Sequence, residues 1–398
     1  MSNIPLLRLK KNEERRLKGG HLWVFSNEVD TTATPLRGLT PGSCVRIEDA
    51  RGEPLGIGYA NPESLIAARL LTRKPSRLPD VDFFRSRIRQ ALSLRERIYE
   101  APYYRLVYGE SDGLPGLVVD RFGSLIVVQS STAGMDRLEE PLIQALKDVM
   151  DPSGILIRNT SSLRALEGLD SRIEPIWGEI EAPRVIENGA TFVIDPLEGQ
   201  KTGWFFDHRD NRSRLLPLCR GRRVLDLFSY SGAWSIEAAL AGAVAVDAVD
   251  ASRPALNLLS QNLALNDLGG SVVPHLSDVF DFLKDARSNR LQWDVVIADP
   301  PAFIKRRKDL SKGIEAYRRL IQMSLQVLAP EGILVAASCS YHLSRETLLD
   351  LLRGSARHLD RHLQVLFEGG QGADHPVHPA IPETDYLKAF FLRVSSSL

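Results

Sequence analysis

Residues 223–235 read RVLDLFSYSGAWS, and this stretch decides the predicted fold. It begins with an apolar run at residues 224–228, which is typical of a buried parallel strand. A turn of small and polar residues follows and leads into a predicted helix at residues 233–241. A strand, a turn and a helix in this order form a ligand site in open α/β sheets, outside the carboxyl end of the strand.

The chain after this stretch alternates between apolar runs and helical segments. This alternation predicts a doubly wound, mainly parallel sheet, so the predicted fold class is α/β. The predicted strands after the first lie at residues 243–249, 271–276, 293–298 and 332–338.

The turn at residues 229–232 contains one glycine, Gly232, and the chain has no GxxxxGK[ST] motif. A phosphate-binding loop needs several glycines, because the backbone must approach a pyrophosphate closely. A dinucleotide is therefore disfavoured, and a smaller ligand with one carboxylate and one ribose fits better.

Three aspartates lie at or near the ends of three successive predicted strands, namely Asp226, Asp250 and Asp278. Asp250 comes close to the spacing of about 20 residues at which an acidic residue accepts hydrogen bonds from ribose hydroxyls. We expect Asp278 to accept a hydrogen bond from an adenine amino group. Any one of them alone is equally well explained as a helix cap, but their order matches the amino acid, ribose and base of one ligand.

The composition is ordinary for a globular protein, and 398 residues suffice for two or three domains. Lysine plus arginine and aspartate plus glutamate each number 50, so the whole-chain charge gives no support for nucleic-acid binding. We expect no signal peptide and no membrane span, because the sequence shows no apolar leader and no apolar stretch of roughly 18 residues. Cys44, Cys219 and Cys339 are odd in number and form no CxxC motif, so neither a disulfide nor a metal site is expected, and we expect a cytoplasmic protein.

Residues 1–75 are predicted to form a small β-rich domain. Basic residues precede Trp23 and Phe25, an arrangement that either binds RNA or is a solvated helix face followed by core aromatics.

Residues 76–190 are predicted to form an α+β domain, and residues 191–398 a third domain. The second domain begins with a helical pattern whose apolar stripe weakens at Arg95, and strands follow around a helix at residues 135–150. It either positions RNA or is a structural spacer.

The sequence Asp-Pro-Pro-Ala-Phe occupies residues 299–303, directly after a predicted strand. Two consecutive prolines fix φ and remove two donors, so the loop is stiff and holds Asp299 at the edge of the sheet. Cys339 lies between two serines at the end of another predicted strand, and we expect the two sites to be close. Most cysteines are packing residues, and that interpretation is kept for Cys44 and Cys219.

These motifs, in this order, resemble those of class I S-adenosylmethionine-dependent methyltransferases. The Ser-Cys-Ser run around Cys339 resembles the nucleophile motif of RNA 5-methylpyrimidine methyltransferases. The whole chain is similar to the ribosomal RNA large subunit methyltransferase I family, and its N-terminal region resembles a PUA domain, an RNA-binding β-barrel. The residues that carry the resemblance are 200–212, 226–232, Asp250, Asp278, 299–303, 338–340, 374–376, 382–383 and 386–388.

The resemblance implies a Rossmann-like class I methyltransferase sheet, preceded by a PUA β-barrel and a small α+β domain. It implies S-adenosyl-L-methionine as the cofactor, RNA as the partner, 23S rRNA as the substrate and 5-methylcytosine as the product. The residues expected to contact the cofactor are Asp226, Ser229, Tyr230, Gly232, Asp250, Asp278, Lys201 and Arg209. The residues expected to contact RNA are Pro300, Phe303, Lys305 and Arg306, and those expected to be catalytic are Cys339 and Asp299.

Lys201 and Arg209 are the two candidates to meet the methionine carboxylate. The alternative is that their segment is a solvated helical turn with internal ion pairs.

Cys339 is expected to act as a nucleophile, because C5 of cytosine is itself a poor one. Addition of the thiolate to C6 makes C5 enamine-like and able to attack a sulfonium methyl group. We expect Asp299 to be protonated, or to share a proton with N3, and so to stabilise charge on the ring. The base that removes the C5 proton is unassigned, because residues 299–303 contain no second cysteine.

The target base must leave its stack, and Phe303 and Tyr230 are the candidates to receive it. Residues 305–308 read Lys-Arg-Arg-Lys, which either binds phosphates or forms a solvated helix face.

Three other functions remain open. A 5-methyluridine enzyme would share the cysteine chemistry, whereas an exocyclic-amine methyltransferase acting on guanine or adenine would not need Cys339. A noncatalytic ribosome-assembly protein would bind RNA and no cofactor.

No DNA or membrane partner is expected, and the sequence leaves the oligomeric state open, a homodimer included.

Overall fold

The computed structural model describes residues 4–199 and 202–396, which form two compact units. The first unit contains the chain up to Pro183 together with Asp195–Trp204 and Ala373–Thr384. The second contains Arg184–Ile194, Phe205–Gly372 and the chain from Asp385 onward. The predicted division into three domains at residues 75 and 190 stays a prediction.

The first unit begins with a five-stranded sheet. Its strands are β1 (Leu6–Arg8), β2 (Trp23–Phe25), β3 (Cys44–Glu48), β4 (Pro54–Ala60) and β5 (Ile66–Thr72), in the order β1-β3-β4-β5-β2. A short helix, α1 (Glu14–Lys18), separates the first two strands. Alternating apolar residues of the strands pack into one core that includes Leu7, Val45 and Ile47.

A second five-stranded sheet follows in the same unit. Its strands are β6 (Tyr103–Tyr108), β7 (Leu117–Phe122), β8 (Leu125–Ser130), β9 (Gly154–Asn159) and β10 (Arg172–Gly178), in the order β10-β9-β8-β7-β6. The helices are α2 (Val81–Ile98), α3 (Ala133–Arg137), α4 (Glu139–Met150) and α5 (Leu163–Leu166). The predicted helix at residues 135–150 is therefore two helices, which meet at Leu138.

Helix α2 continues through Arg95, the position at which its apolar stripe weakens. Arg95 is fully buried, and its guanidinium forms two hydrogen bonds with the carboxylate of Asp112, at 2.6 and 2.7 Å. A buried arginine is tolerated when a carboxylate pairs with it in this way.

The second unit is built on a seven-stranded sheet. Its strands are β13 (Arg223–Leu227), β14 (Ala245–Asp250), β15 (Val272–Leu276), β16 (Trp293–Ala298), β17 (Leu328–Ser338), β18 (Arg361–Gly369) and β19 (Lys388–Ser396). A two-stranded hairpin precedes it, formed by β11 (Arg184–Glu187) and β12 (Ala190–Val193). The helices are α6 (Arg209–Cys219), α7 (Ala233–Leu240), α8 (Arg253–Leu265), α9 (Val279–Ser288), α10 (Leu310–Val327) and α11 (Arg345–His358).

The strand order in this sheet is β15-β14-β13-β16-β17-β19-β18. Strands β13 to β17 are parallel, whereas β19 runs antiparallel between β17 and β18. The order reverses between β13 and β16, which is the switch point where ligands bind in open α/β sheets. The predicted α/β fold class is confirmed. Within the described ranges, no helix has the length and apolarity to cross a bilayer.

Candidate active site

The turn after β13 has an unusual backbone. Phe228, Tyr230 and Gly232 have positive φ angles of 64°, 49° and 85°. Left-handed conformations in non-glycine residues are costly and concentrate at functional sites. A Cβ at residue 232 would lie 2.1 Å from Cδ1 of Leu259, so the turn also requires glycine for close packing.

Two buried polar atoms at the end of β13 and in this turn have no hydrogen-bond partner in the described part of the chain, Oδ1 of Asp226 and Oγ of Ser229. The other Asp226 oxygen, Oδ2, accepts a hydrogen bond from Ser235 Oγ at 2.6 Å. An unpaired buried polar group costs ~1–3 kcal/mol, so the two atoms indicate that a polar ligand completes the site.

Asp226 is also electrostatically unusual. Burial raises the pKa of its carboxyl to about 7, and the nearby carboxylates Asp299 and Asp250 act in the same direction. A cationic group on a ligand would relieve this repulsion, and the amino group of S-adenosylmethionine carries such a charge.

Asp250 and Asp278 both bind backbone amides near their own strand ends. Asp250 accepts from the backbone N–H of Tyr230 at 2.9 Å and of Ser252 at 2.8 Å, so it ties the turn to the end of β14. Asp278 caps α9 through Oδ1, which accepts from the N–H of Phe280 at 2.8 Å. Capping uses one oxygen of Asp278 in these contacts, and its expected adenine contact stays a prediction.

Arg209 pairs with a carboxylate of the hairpin. Its Nε donates to Glu187 Oε2 at 3.1 Å, and its guanidinium lies 5.2 Å from the centre of the Phe206 ring. Internal ion pairs were the alternative expectation for this segment, and the contact of Arg209 with methionine carboxylate stays a prediction. Lys201, the other candidate, lies outside the described residues.

Asp299 lies just beyond β16 and receives two side-chain N–H groups. His208 Nε2 is 3.1 Å from Oδ1, and Trp234 Nε1 donates to Oδ2 at 3.2 Å. Burial acts to raise the pKa of Asp299, but His208 and Trp234 outweigh it, so the pKa lies below its usual value. This lowered pKa favours the carboxylate form in the protein without substrate. The expectation that Asp299 is protonated, or shares a proton with N3, while the ring reacts stays a prediction.

The structure brings Cys339 to the loop that carries Asp299. The sulfur of Cys339 lies 4.0 Å from the carbonyl oxygen of Pro300, as a thiol donor to that acceptor. All three cysteines are free, and burial raises the pKa of Cys219 to about 12, which fits a packing residue.

The serines on either side of Cys339 hold it in position. The hydroxyl of Tyr317, on α10, lies 2.8 Å from Ser338 Oγ and 2.9 Å from Ser340 Oγ. Ser340 Oγ also accepts from the backbone N–H of Ile304, which follows the Asp299 loop, at 3.1 Å. One buried network therefore joins the two serines beside Cys339 to the backbone of Ile304, just after the Asp299 loop.

Phe303 and the basic segment 305–308 follow the same loop. The Phe303 ring packs against Tyr317, with ring centres 4.9 Å apart, and is partly buried. Lys305 and Arg306 are exposed, as contact with RNA phosphates requires.

Sequence reasoning missed three functional candidates: His208, Trp234 and Lys388. Lys388 is buried opposite Ser338 in the β17–β19 pairing, and its Nζ donates to the carbonyl of Ser340 at 2.9 Å. Burial lowers the pKa of Lys388, while Asp385 and Cys339 raise it. His208 and Lys388 lie within runs that carried the family resemblance, but nothing local indicated their contacts.

Comparison with known proteins now adds to this geometry. Residues 7–73 match the sequence profile of a PUA-like domain, and residues 162–385 match that of an S-adenosylmethionine-dependent methyltransferase. The ribosomal RNA large subunit methyltransferase I of Serratia proteamaculans is 35% identical over 97% of this chain and 98% of its own. That of Salmonella arizonae is 35% identical over 98% of both chains.

The chain belongs to the ribosomal RNA large subunit methyltransferase I family. This confirms the resemblance that the motifs carried, and with it S-adenosylmethionine as the cofactor. Among solved structures, SMU.776 complexed with SAH aligns with a TM-score of 0.83 at 23% identity, over 98% of this chain and 100% of that one. At that identity the likeness speaks for the fold alone, and it agrees with the Rossmann-like sheet that the family has.

Proposed function

We propose that this methyltransferase transfers a methyl group from S-adenosylmethionine to C5 of a cytosine in 23S rRNA, through a covalent bond between Cys339 and C6. The observation that carries the proposal is the 4.0 Å approach of the Cys339 sulfur to the Pro300 carbonyl. The candidate nucleophile thus lies beside the loop that carries Asp299, at the carboxyl edge of the sheet. The names of the relatives support rRNA as the substrate, and the PUA-like domain supports RNA as the partner.

The cofactor site is inferred to be the turn after β13 with its neighbouring strand ends. Asp226 and Ser229 would bind the polar atoms of the amino acid part, and Asp250 the ribose. Tyr230 and Gly232 shape the turn, and Asp278 would lie at the base. When bound, S-adenosylmethionine supplies an electrophilic methyl group.

The chain's own residues then account for most of the chemistry. The Cys339 thiolate forms a bond to C6, and the electron pair of the C5–C6 double bond moves to C5, which becomes nucleophilic. Asp299 accepts hydrogen bonds from the pyrimidine edge and balances positive charge at N3. After methylation, C5 loses its proton to a base, the C5–C6 double bond re-forms, and the bond between sulfur and C6 breaks. The base stays unassigned.

Cys339→Ala tests the proposal directly. The wild type and the variant are incubated with protein-free rRNA and methyl-labelled S-adenosylmethionine, and the digested nucleosides are analysed by mass. We expect label in 5-methylcytidine with the wild type and none with the variant. Cys44→Ala, in the first unit, is the matched control and should keep activity.

Two other products would contradict the proposal. Label in 5-methyluridine would keep the cysteine chemistry but change the base, and label in a methylated guanosine or adenosine that survives Cys339→Ala would exclude the adduct. RNA with 5-fluorocytidine at the target should trap the wild type covalently, because fluorine cannot leave as a proton does.

A location in the cytoplasm stays a prediction.

A further inference from the structure

Asp299 is held by two donors that are themselves buried. His208 and Trp234 are 4% and 5% exposed, whereas the Asp299 side chain keeps 21% of its surface exposed. His208 binds Oδ1 and Trp234 binds Oδ2. Each carboxylate oxygen has about two lone-pair sites, so one on each oxygen remains for a substrate.

Asn211 sets the tautomer of His208. The Asn211 side-chain amide nitrogen is 3.1 Å from His208 Nδ1, and it also donates to the Gly370 carbonyl at 2.9 Å. An amide N–H is only a donor, so Nδ1 must accept. The proton of the neutral imidazole is then on Nε2, which donates to Asp299.

Both N–H donors favour the carboxylate form of Asp299 over the protonated carboxyl, because a carboxylate accepts at each of its two oxygens. Among the described residues, charged groups that also face Asp299 include the carboxyls of Asp207 and Asp226, and their repulsion acts in the opposite direction. His208 and Trp234 are therefore the groups that keep Asp299 ionised against burial and neighbouring negative charge.

The protonation state of Asp299 decides which pyrimidine it fits. A neutral carboxyl has one donor and one acceptor, so it matches the N3 and N4 edge of cytosine and the N3 and O4 edge of uracil equally well. A carboxylate only accepts. It pairs with two donors, N4–H and protonated N3 of cytosine, whereas O4 of uracil would oppose it with another lone pair.

We propose that His208 and Trp234 are positioning residues that make the site selective for cytosine over uracil, because they keep Asp299 an acceptor at both oxygens. This inference rests on the proposed methylation at C5. The N3 proton comes from water and returns to it with the product. That proton also draws electrons from C6, so the hydrogen bond that recognises the base also prepares it for Cys339.

The test measures selectivity rather than activity alone. Matched RNAs with C or U at the target are compared by kcat/KM between about pH 5.5 and 8.5 for the wild type, His208→Leu and Trp234→Phe. At each pH we expect the ratio of C to U in both variants to be about ten- to a hundredfold lower than in the wild type, the loss of one bidentate contact. The protonation state of the free enzyme is common to both RNAs and cancels from this ratio, so each variant is compared with the wild type at the same pH.

Two variants provide controls. His208→Gln keeps an N–H donor and should restore most of the selectivity. His275→Leu is a matched control, because Asp247 is held by His275 and Trp293 at 2.7 Å each, in the same way as Asp299. Its ratio should equal that of the wild type. Damage to the fold alone would lower turnover of both RNAs and leave their ratio unchanged, which would overturn the inference.

The product formed by the wild type distinguishes a failure of the proposed function from a failure of this inference. Absence of 5-methylcytidine with the wild type would overturn the proposed function, and this inference with it. Methylation of cytosine with the wild-type ratio of C to U in both variants would overturn this inference alone.

Tryptophan fluorescence gives a second measurement that needs no turnover. The difference between the wild type and Asp299→Asn reports the protonation of Asp299 through Trp234. We expect no transition in that difference between about pH 5 and 8, since an ordinary aspartate titrates near 3.9. A transition within this range would contradict the assignment.

Discussion

Asp226→Asn should stabilise the protein and at the same time weaken cofactor binding. Asp226 is fully buried, and its pKa of about 7 in the folded state compares with ~3.9 for an unfolded chain. Because the pKa of Asp226 is raised in the folded state, ionisation of this carboxyl lowers the free energy of unfolding. This penalty is absent below pH ~4, grows by ~1.4 kcal/mol per pH unit, and is complete above pH 7. Its full size is therefore ~4 kcal/mol.

Asparagine removes the charge but leaves a buried amide that lacks a partner, at a cost of ~1–3 kcal/mol. The net gain in the free energy of unfolding at pH 8 should then be ~1–3 kcal/mol, and it should vanish near pH 5, where the penalty has fallen to ~1.5 kcal/mol. Urea denaturation of the cofactor-free protein at both pH values measures this difference.

Cofactor binding should respond in the opposite direction. If only ionised Asp226 binds the amino group, the Kd of the wild type for S-adenosylmethionine rises about fivefold from pH 7 to pH 6, and about tenfold per unit below that. In Asp226→Asn the rise of the Kd at low pH should disappear, and the Kd at pH 7.5 should be higher than that of the wild type. A variant that is less stable at pH 8 and binds the cofactor normally would refute both the raised pKa and the role of Asp226.

The remaining predictions concern the nucleophile and the RNA surface. In a limited reaction with iodoacetamide at pH 8, peptide mass analysis should find Cys339 alkylated well before Cys219, whose thiol is buried and has a pKa of about 12. Tyr317→Phe removes the hydroxyl that joins the two serines beside Cys339. The free energy of unfolding should fall by ~1–3 kcal/mol, and methylation should slow. An unchanged rate of methylation would mean that the network is dispensable. Lys305→Ala and Arg306→Ala should each reduce the slope of log RNA affinity against log salt concentration by about 1, and neither should change the Kd for S-adenosylmethionine. An unchanged slope would mean that the segment is a solvated helix face that does not contact RNA.

The strands of the parallel sheet were predictable because their signal is local. An apolar run of strand length, bounded by turn residues, identifies β16 at Trp293–Ala298 without reference to the rest of the chain. The same holds for the strand-end aspartates and the Asp-Pro-Pro loop, since a residue's place after a strand follows from the order of the sequence alone. The family motifs then indicated the cofactor.

The electrostatics of the site were not predictable in this way. The side chains that donate to Asp299 are His208, 91 residues earlier, and Trp234, 65 residues earlier, and no local pattern indicated either contact. Arg95 illustrates the same limit, since only its pairing with Asp112 explains how an arginine interrupts an apolar stripe within one helix.

The order of amino acids thus determined the elements, the position of Asp226, Asp299 and Cys339 at strand ends, and the family. The tertiary structure decided that β19 inserts antiparallel beside β17, which puts Lys388 next to Ser340, and that His208 meets Asp299. The physical reason is the range of the forces. Strand and turn preferences act between near neighbours in the chain, whereas the charge of a buried carboxyl depends on donors that only folding brings within about 3 Å.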